Sequence, residues 1–412
     1  SATLPALMEV FMRAALFLSL LAPLWAGVTE AETISAEINR TGLAAVEARL
    51  AALPARTDAD SFALGGVQFL RGVEISFQDR WRAGLTDRGA ILPLLRIPIP
   101  ANPAPGPFDP AAVVGIFAHA GDKLAEARAT LTAIPDSDYG VEIAIPDLWF
   151  DINGNATRDP GEGISEVLGA TILGDPGEAA PNALPSVRFD SADAAWLAAY
   201  ADLLAGLCDM VRAYDPTEPL TRIIAARAAM QDLGPTYPDF IFGRLSDDPR
   251  SLESLDLIAV VLASLNQQPD RARMASAQAH LLAMVAENRL FWTRVEAETD
   301  DAREWLPNDH QHAALGVALP PGTGPAWLAV LADVEAVLKG DKLLPFWRVG
   351  APAGINLGKI FADPAPIDLA GWAQGWAVLP YLQKGTLIRA DSLNAFDRLM
   401  QGQSMLFALY LN

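Results

Sequence analysis

The sequence predicts a mainly α-helical protein: a helical bundle, or an α-solenoid-like array of paired helices, with a small β/loop insertion over residues 136–188. Three observations carry this expectation. Apolar residues recur three or four apart over most of the chain, which is the helical period. Ser, Thr and Asp caps and Pro or Gly stops punctuate these runs at helix-like intervals. Period-two alternation is confined to one stretch, Val141-Glu-Ile-Ala-Ile145.

The N-terminus reads as an export signal. Met12-Arg13 gives a positive start, and Ala14 to Ala26 is an apolar run too short to span a bilayer comfortably. Thr29-Glu30-Ala31 fits a small-residue cleavage site, with Ala26 as a second candidate. Residues 1–31 are therefore expected to be a signal peptide with an upstream extension, followed by an N-terminal helical region at 32–135, the insertion at 136–188 and a C-terminal helical region at 189–412.

In the first helical region, residues 33–53 form a helix that Pro54 ends. Thr57 or Asp58 caps the next, in which Phe62, Phe69, Val73, Phe77 and Trp81 make one apolar stripe. Gly65 and Gly66 weaken that helix in isolation, so a closely packed neighbour is implied. Six prolines make residues 85–108 an extended connection. Asp109-Pro110 then opens a helix whose buried face runs from Val113 to Leu131, with His119 at its margin.

Val141–Ile145 is expected as a strand, with Val167–Leu173 as its returning partner and 174–188 as a linker. Asp190-Ser191 starts a long helix carrying Trp196, Leu203, Leu207 and Met210, and Cys208 within it reads as a small buried apolar residue. A shorter helix, Pro219–Met230, precedes a turn-rich passage at 233–246. Leu252–Leu265 is apolar nearly all round, the pattern of a central helix. Asp270 opens the longest helix, which is expected to end near Trp305-Leu-Pro307. Pro325–Lys339 stops at Gly340, and helices near 367–383 and 391–411 close the chain. No fixed repeat period emerges. Leu64 to Phe69 matches only a fragment of a tetratricopeptide helix.

Fifty acidic against thirty basic side chains give a net charge of −20, which argues against nucleic acid and anionic membrane surfaces as partners. After signal removal no stable membrane span is expected. A single cysteine rules out an intramolecular disulfide.

One stretch demands a specific chemistry. Counting from Asp151, oxygen-bearing side chains fall at positions one (Asp151), three (Asn153), five (Asn155), nine (Asp159) and twelve (Glu162), with Thr157 at seven offering its main-chain carbonyl. Calcium takes about six to eight oxygens, and this ladder supplies them from one turn. The spacing resembles an EF-hand calcium loop. Trp149-Phe150-Asp151 leading to Asp159-Pro-Gly-Glu162-Gly-Ile164 resembles still more the calcium loops of secreted bacterial repeat proteins. The resemblance covers residues 147–164 and implies calcium as the cofactor. It departs at position six, where Ala156 replaces the usual glycine.

Two weaker constellations stand elsewhere. His310 and His312 make a His-x-His pair that needs a further ligand, for which Glu304, His280 and Asp309 are candidates. Trp347, Arg348 and Trp376 lie in an aromatic, glycine-rich region that fits either a ligand pocket or a packed seam. The expectation is an exported, periplasmic or secreted calcium-binding protein with a structural, scaffold or partner-binding role. An exported hydrolase and a small-ligand binding protein are the alternatives.

Overall fold

The computed structural model describes residues 32–86, 93–167, 184–234, 249–317 and 319–404. The export signal at 1–31 lies outside them, as do most of the turn-rich passage and the end of the last helix. The chain is mainly helical, as the periodicity requires: a bundle-like array of helices with a small β insertion.

Three helices precede the insertion in the main body: α1 (Ile34–Ala51), α2 (Asp58–Arg82) and, after the short turn α3 (Pro93–Arg96), α4 (Ala111–Thr132). Thr57 caps α2 through a reciprocal pair of bonds with Asp60, fixing its first turn. Gly65 is needed on α2 because a Cβ there would lie 2.6 Å from the Leu131 side chain of α4. That is the close helix neighbour the glycines imply. The proline-rich connection is held from within by Arg80, whose Nη1 donates to the carbonyls of Leu94 and Ile97.

The insertion is framed by a two-stranded antiparallel pair. Strand β1 (Val141–Ala144) pairs antiparallel with β2 (Ser186–Phe189), Val141 opposite Phe189. This corrects the expectation that Val167–Leu173 returns as the partner; of that segment only Val167 lies within the described residues. The pairing strand sits in what reads as linker, because Ser-Val-Arg-Phe is too short to show a period.

Beyond β2 come α5 (Ser191–Ala213), α6 (Thr217–Leu233), α7 (Pro249–Leu265), α8 (Arg271–Val295) and α9 (Thr323–Lys339). Helix α5 is the spine, packed against α4 on one side and α8 on another, with α2 also touching it. Its alanines make that possible: Ala198, Ala199 and Ala201 are small and have no exposed surface, so neighbouring helices approach closely. It is apolar and long enough to cross a membrane, but most of it is inside the fold, as a core helix requires. Helix α8 ends at Val295, well short of Trp305, because Glu296 and the turn after it redirect the chain. The last part is small and irregular. Strand β3 (Ala353–Ile355) pairs with β4 (Leu382–Lys384), flanked by α10 (Leu357–Ala362), α11 (Leu369–Gln374) and α12 (Asp391–Leu399).

Helix α7 departs from expectation. Its apolar character suggests a central position, yet Leu255, Leu257, Ile258, Val261 and Leu262 are each 43–53% exposed. It packs along α6, and α6 is itself exposed from Ile224 to Leu233.

Candidate metal site

Strand β1 runs through a single 3-10 turn (Ile145–Asp147) into Leu148-Trp149-Phe150, an apolar plug whose three side chains are all buried. Trp149 donates from Nε1 to the Ile38 carbonyl of α1 at 2.7 Å. Its ring passes so close to α1 that Gly42, at φ +78°, would place a Cβ 3.1 Å from it. Two main-chain bonds then close the loop: Phe150 N–H to the Glu162 carbonyl (2.8 Å) and Ile164 N–H to the Leu148 carbonyl (3.0 Å). The plug thus anchors both ends of residues 151–162.

Within that closure the expected ligand residues are linked by hydrogen bonds, although Asp151, Asp159 and Glu162 do not bring one oxygen each within 4.8 Å of one another. Asp151 Oδ1 accepts from the N–H groups of Gly154 and Asn155, and its Oδ2 from that of Ala156. Asn153 and Asn155 both donate from Nδ2 to Asp159 Oδ2, at 2.7 and 2.8 Å. Glu162, only 2% exposed, reaches back across the loop, with Oε1 on the Ile152 N–H and Oε2 on that of Asp159. Burial raises the Glu162 carboxyl above its ordinary pKa; the two N–H donors oppose this, and the negative Asp151 and Asp159 add to it.

Three carboxylates and two carboxamides in one turn form a hard oxygen donor set, without imidazole or sulfur, which fits calcium. Asn153 Oδ1 accepts the Asn155 N–H, so the carboxamide nitrogens of both asparagines are the groups that face Asp159. Ala156 takes φ +59°, the left-handed conformation that glycine usually supplies at position six. The turn is therefore made despite the departure. Thr157 donates its N–H to Asn155 Oδ1.

The loop rests on side chains that the spacing does not reveal. Glu74 of α2, 1% exposed, accepts the Asp151 N–H at 3.0 Å, and Gln78, one turn on, donates to the Asp151 carbonyl at 2.8 Å. Both main-chain groups of Asp151 are thus held by one helix. Arg71 pairs with Glu74 and with Glu47 of α1. Burial pushes the Glu74 carboxyl up to about 7, against the attraction of Arg71. The one visible signal is a carboxylate beside the Val73–Phe77 apolar stripe. On the opposite side Arg158 donates to Asn39 Oδ1, while Asn39 donates to Asp147.

A second grouping is absent from the sequence reading. Asp190, Glu298 and Glu304 bring carboxylate oxygens within 4.8 Å of one another, and among the described residues no other trio of His, Cys, Asp or Glu does so. Each has a structural partner. Asp190 and Asp193 form the capping box of α5, Glu304 accepts the Ala302 N–H, and Glu298 accepts from Gln311. Burial raises all four carboxyls, Glu298 to about 7 and Asp193 well above the usual range.

The histidine constellation does not assemble. His312 pairs with Asp301 at 2.7 Å, Asp309 accepts the Gly322 N–H, and His280 pairs with the fully buried Asp202 at 2.7 Å. Glu304 belongs to the carboxylate trio instead. His310 and His312 thus gain no third ligand among the described residues, because their candidate partners are engaged at different places. Trp347 and Trp376 are 73% and 54% exposed, and Arg348 stacks 4.8 Å over the Trp347 ring. They form an open surface beside Phe346, whereas Phe346, Ile355 and Tyr381 make the packed seam beneath. Cys208 is buried and its thiol is pushed up to about 12, as an inert apolar residue requires.

Compared with family models, curated proteins and solved structures, the chain gives no match.

Proposed function

We propose that this is an exported calcium-binding helical protein, periplasmic or secreted, with a structural or partner-binding role. Calcium would be held by Asp151, Asn153, Asn155, the Thr157 carbonyl, Asp159 and Glu162. What carries this reading is the buried Glu162 carboxylate, which closes the loop on the Ile152 and Asp159 N–H groups and is raised further by the negative charges of Asp151 and Asp159. Holding Glu162 buried near two further negative charges costs stability in the absence of a cation, because burial and like charge both disfavour its ionised form. A divalent ion bound there offsets that cost. Export is supported by the Met12–Ala31 pattern. It also suits the chemistry, since a site read this way takes its ion from a calcium-containing compartment.

The loop joins elements distant in sequence: α1 through Trp149 and Arg158, α2 through Glu74 and Gln78. An ion here therefore acts as a clip. Binding only the folded form stabilises it by about 2.7 kcal/mol when free calcium is about a hundred times Kd. The test is thermal unfolding with calcium, with chelator, and for Glu162→Gln. The expected result is a calcium-dependent rise in midpoint that the variant lacks. Coincident curves for all three samples overturn the proposal.

A further inference from the structure

The helical pair α6–α7 carries a surface that the clip does not explain. Half of the exposed large apolar side chains among the described residues lie on these two helices: Ile224, Met230 and Leu233 on α6, and five on α7. Among the described side chains of α7, 255–265, Val260 and Ser264 are the buried ones. Of the ionic groups near the patch, Glu218 pairs with Arg222 and Asp256 with Arg227, while Asp232 stands exposed beside Leu233. Residues 255–265 contain no ionisable side chain besides Asp256.

We propose that α6–α7 is a self-association surface whose occupant is the same helical pair of a second copy. Charge directs where two copies can meet. With a net charge of −20 they repel across most of their surfaces, and this apolar face, with two internal ion pairs and a single exposed carboxylate, opposes their approach least. Area is sufficient. Burying a large aliphatic side chain removes roughly 60–120 Å² of apolar surface, so eight half-exposed ones supply roughly 250–500 Å² per copy. A standard interface contributes about 800 Å² per partner, of which about 450 Å² is apolar.

Geometry selects the symmetry. Two packed helices laid on their own copy make a four-helix bundle with a two-fold axis, which closes and leaves no unsatisfied face. A lipid bilayer fits less well. The apolar segment Leu255–Leu265 is about 16 Å long against a hydrocarbon core of about 30 Å.

The test is sedimentation equilibrium of the purified protein over increasing concentration, with Leu257→Glu, Leu262→Glu and, as a control, Leu369→Glu on the exposed surface of α11. The expected result is a dimer whose apparent mass halves in the first two variants and is unchanged in the third. A second arm uses Val261→Cys, since the native Cys208 is buried and does not compete. Under oxidation it is expected to give a covalent dimer in high yield. A wild-type chain that stays monomeric throughout, or a dimer indifferent to both glutamates, overturns the proposal. So does failure of Val261→Cys to cross-link, or dissociation of the dimer onto neutral phosphatidylcholine vesicles.

Discussion

Two groups of carboxylates in this molecule are similarly buried and differently assembled. In the loop, Asp151, Asp159 and Glu162 come from one turn and are surrounded by main-chain N–H groups and two carboxamides. In the trio, Asp190 comes from the cap of α5, while Glu298 and Glu304 lie far along the chain, after α8. The first is a local object tied together by hydrogen bonds within one short segment. The second is a by-product of docking two elements, each of whose acids has its own job at a turn or helix end. Burial of acids therefore means different things at the two places, and perturbation should separate them.

The largest separation is expected from Glu74→Leu. It removes the acceptor that fixes the Asp151 N–H and leaves Arg71 without its buried partner. Support of this kind typically affects metal affinity by about 10–100-fold. Calcium affinity by titration calorimetry is expected to fall about tenfold, whereas Glu74→Gln, which keeps an acceptor, restores most of it. Equal loss in both variants would mean that charge, and not placement of the loop, is what Glu74 supplies.

The trio should answer to pH instead of calcium. Burial raises Glu298 to about 7 from an ordinary value of 4.5. The folded state therefore binds a proton that the unfolded state has already released. Its contribution is fully present below about 4.5 and is lost as pH rises through about 7. Glu298→Gln keeps an acceptor for Gln311 and cannot ionise. Its melting temperature is expected to exceed wild type by about 2 °C at pH ~8 and to match it near pH ~4, by calorimetry. A pH-independent difference would remove the trio's titration as the cause.

The contrast also marks what the sequence could reveal. Helix starts at Thr57, Asp190 and Asp270 and the stop at Gly340 are chemical signals with one outcome each, and all appear in the fold. The ladder from Asp151 to Glu162 is legible for the same reason: everything it needs lies within one short segment. Glu74 and Gln78 are not, because nothing in α2 says which loop will lie over it. Nor is the trio, whose members meet only after α5 and α8 have packed. Helix α7 misleads in another way. Apolar residues all round mean that a helix wants burial, not that its own chain provides it, and the second copy is the proposed provider.

The smallest effect bears on whether the departure at position six matters. The left-handed φ of +59° at Ala156 costs roughly 1–2 kcal/mol. Glycine there removes that strain but adds about 0.5–1 kcal/mol of unfolded-chain entropy. Ala156→Gly is therefore expected to stabilise the protein by about 0.5 kcal/mol or slightly more. Gly154 supplies the mirror experiment. It has φ +76° and open space around its Cβ position, so Gly154→Ala meets no neighbour and incurs only the conformational cost. Opposite signs in chemical denaturation would show that the loop is limited by backbone conformation at these two positions. If instead Ala156→Gly destabilises, the alanine methyl is contributing in a way that strain does not capture, and the substitution at position six is then no weakness of the site.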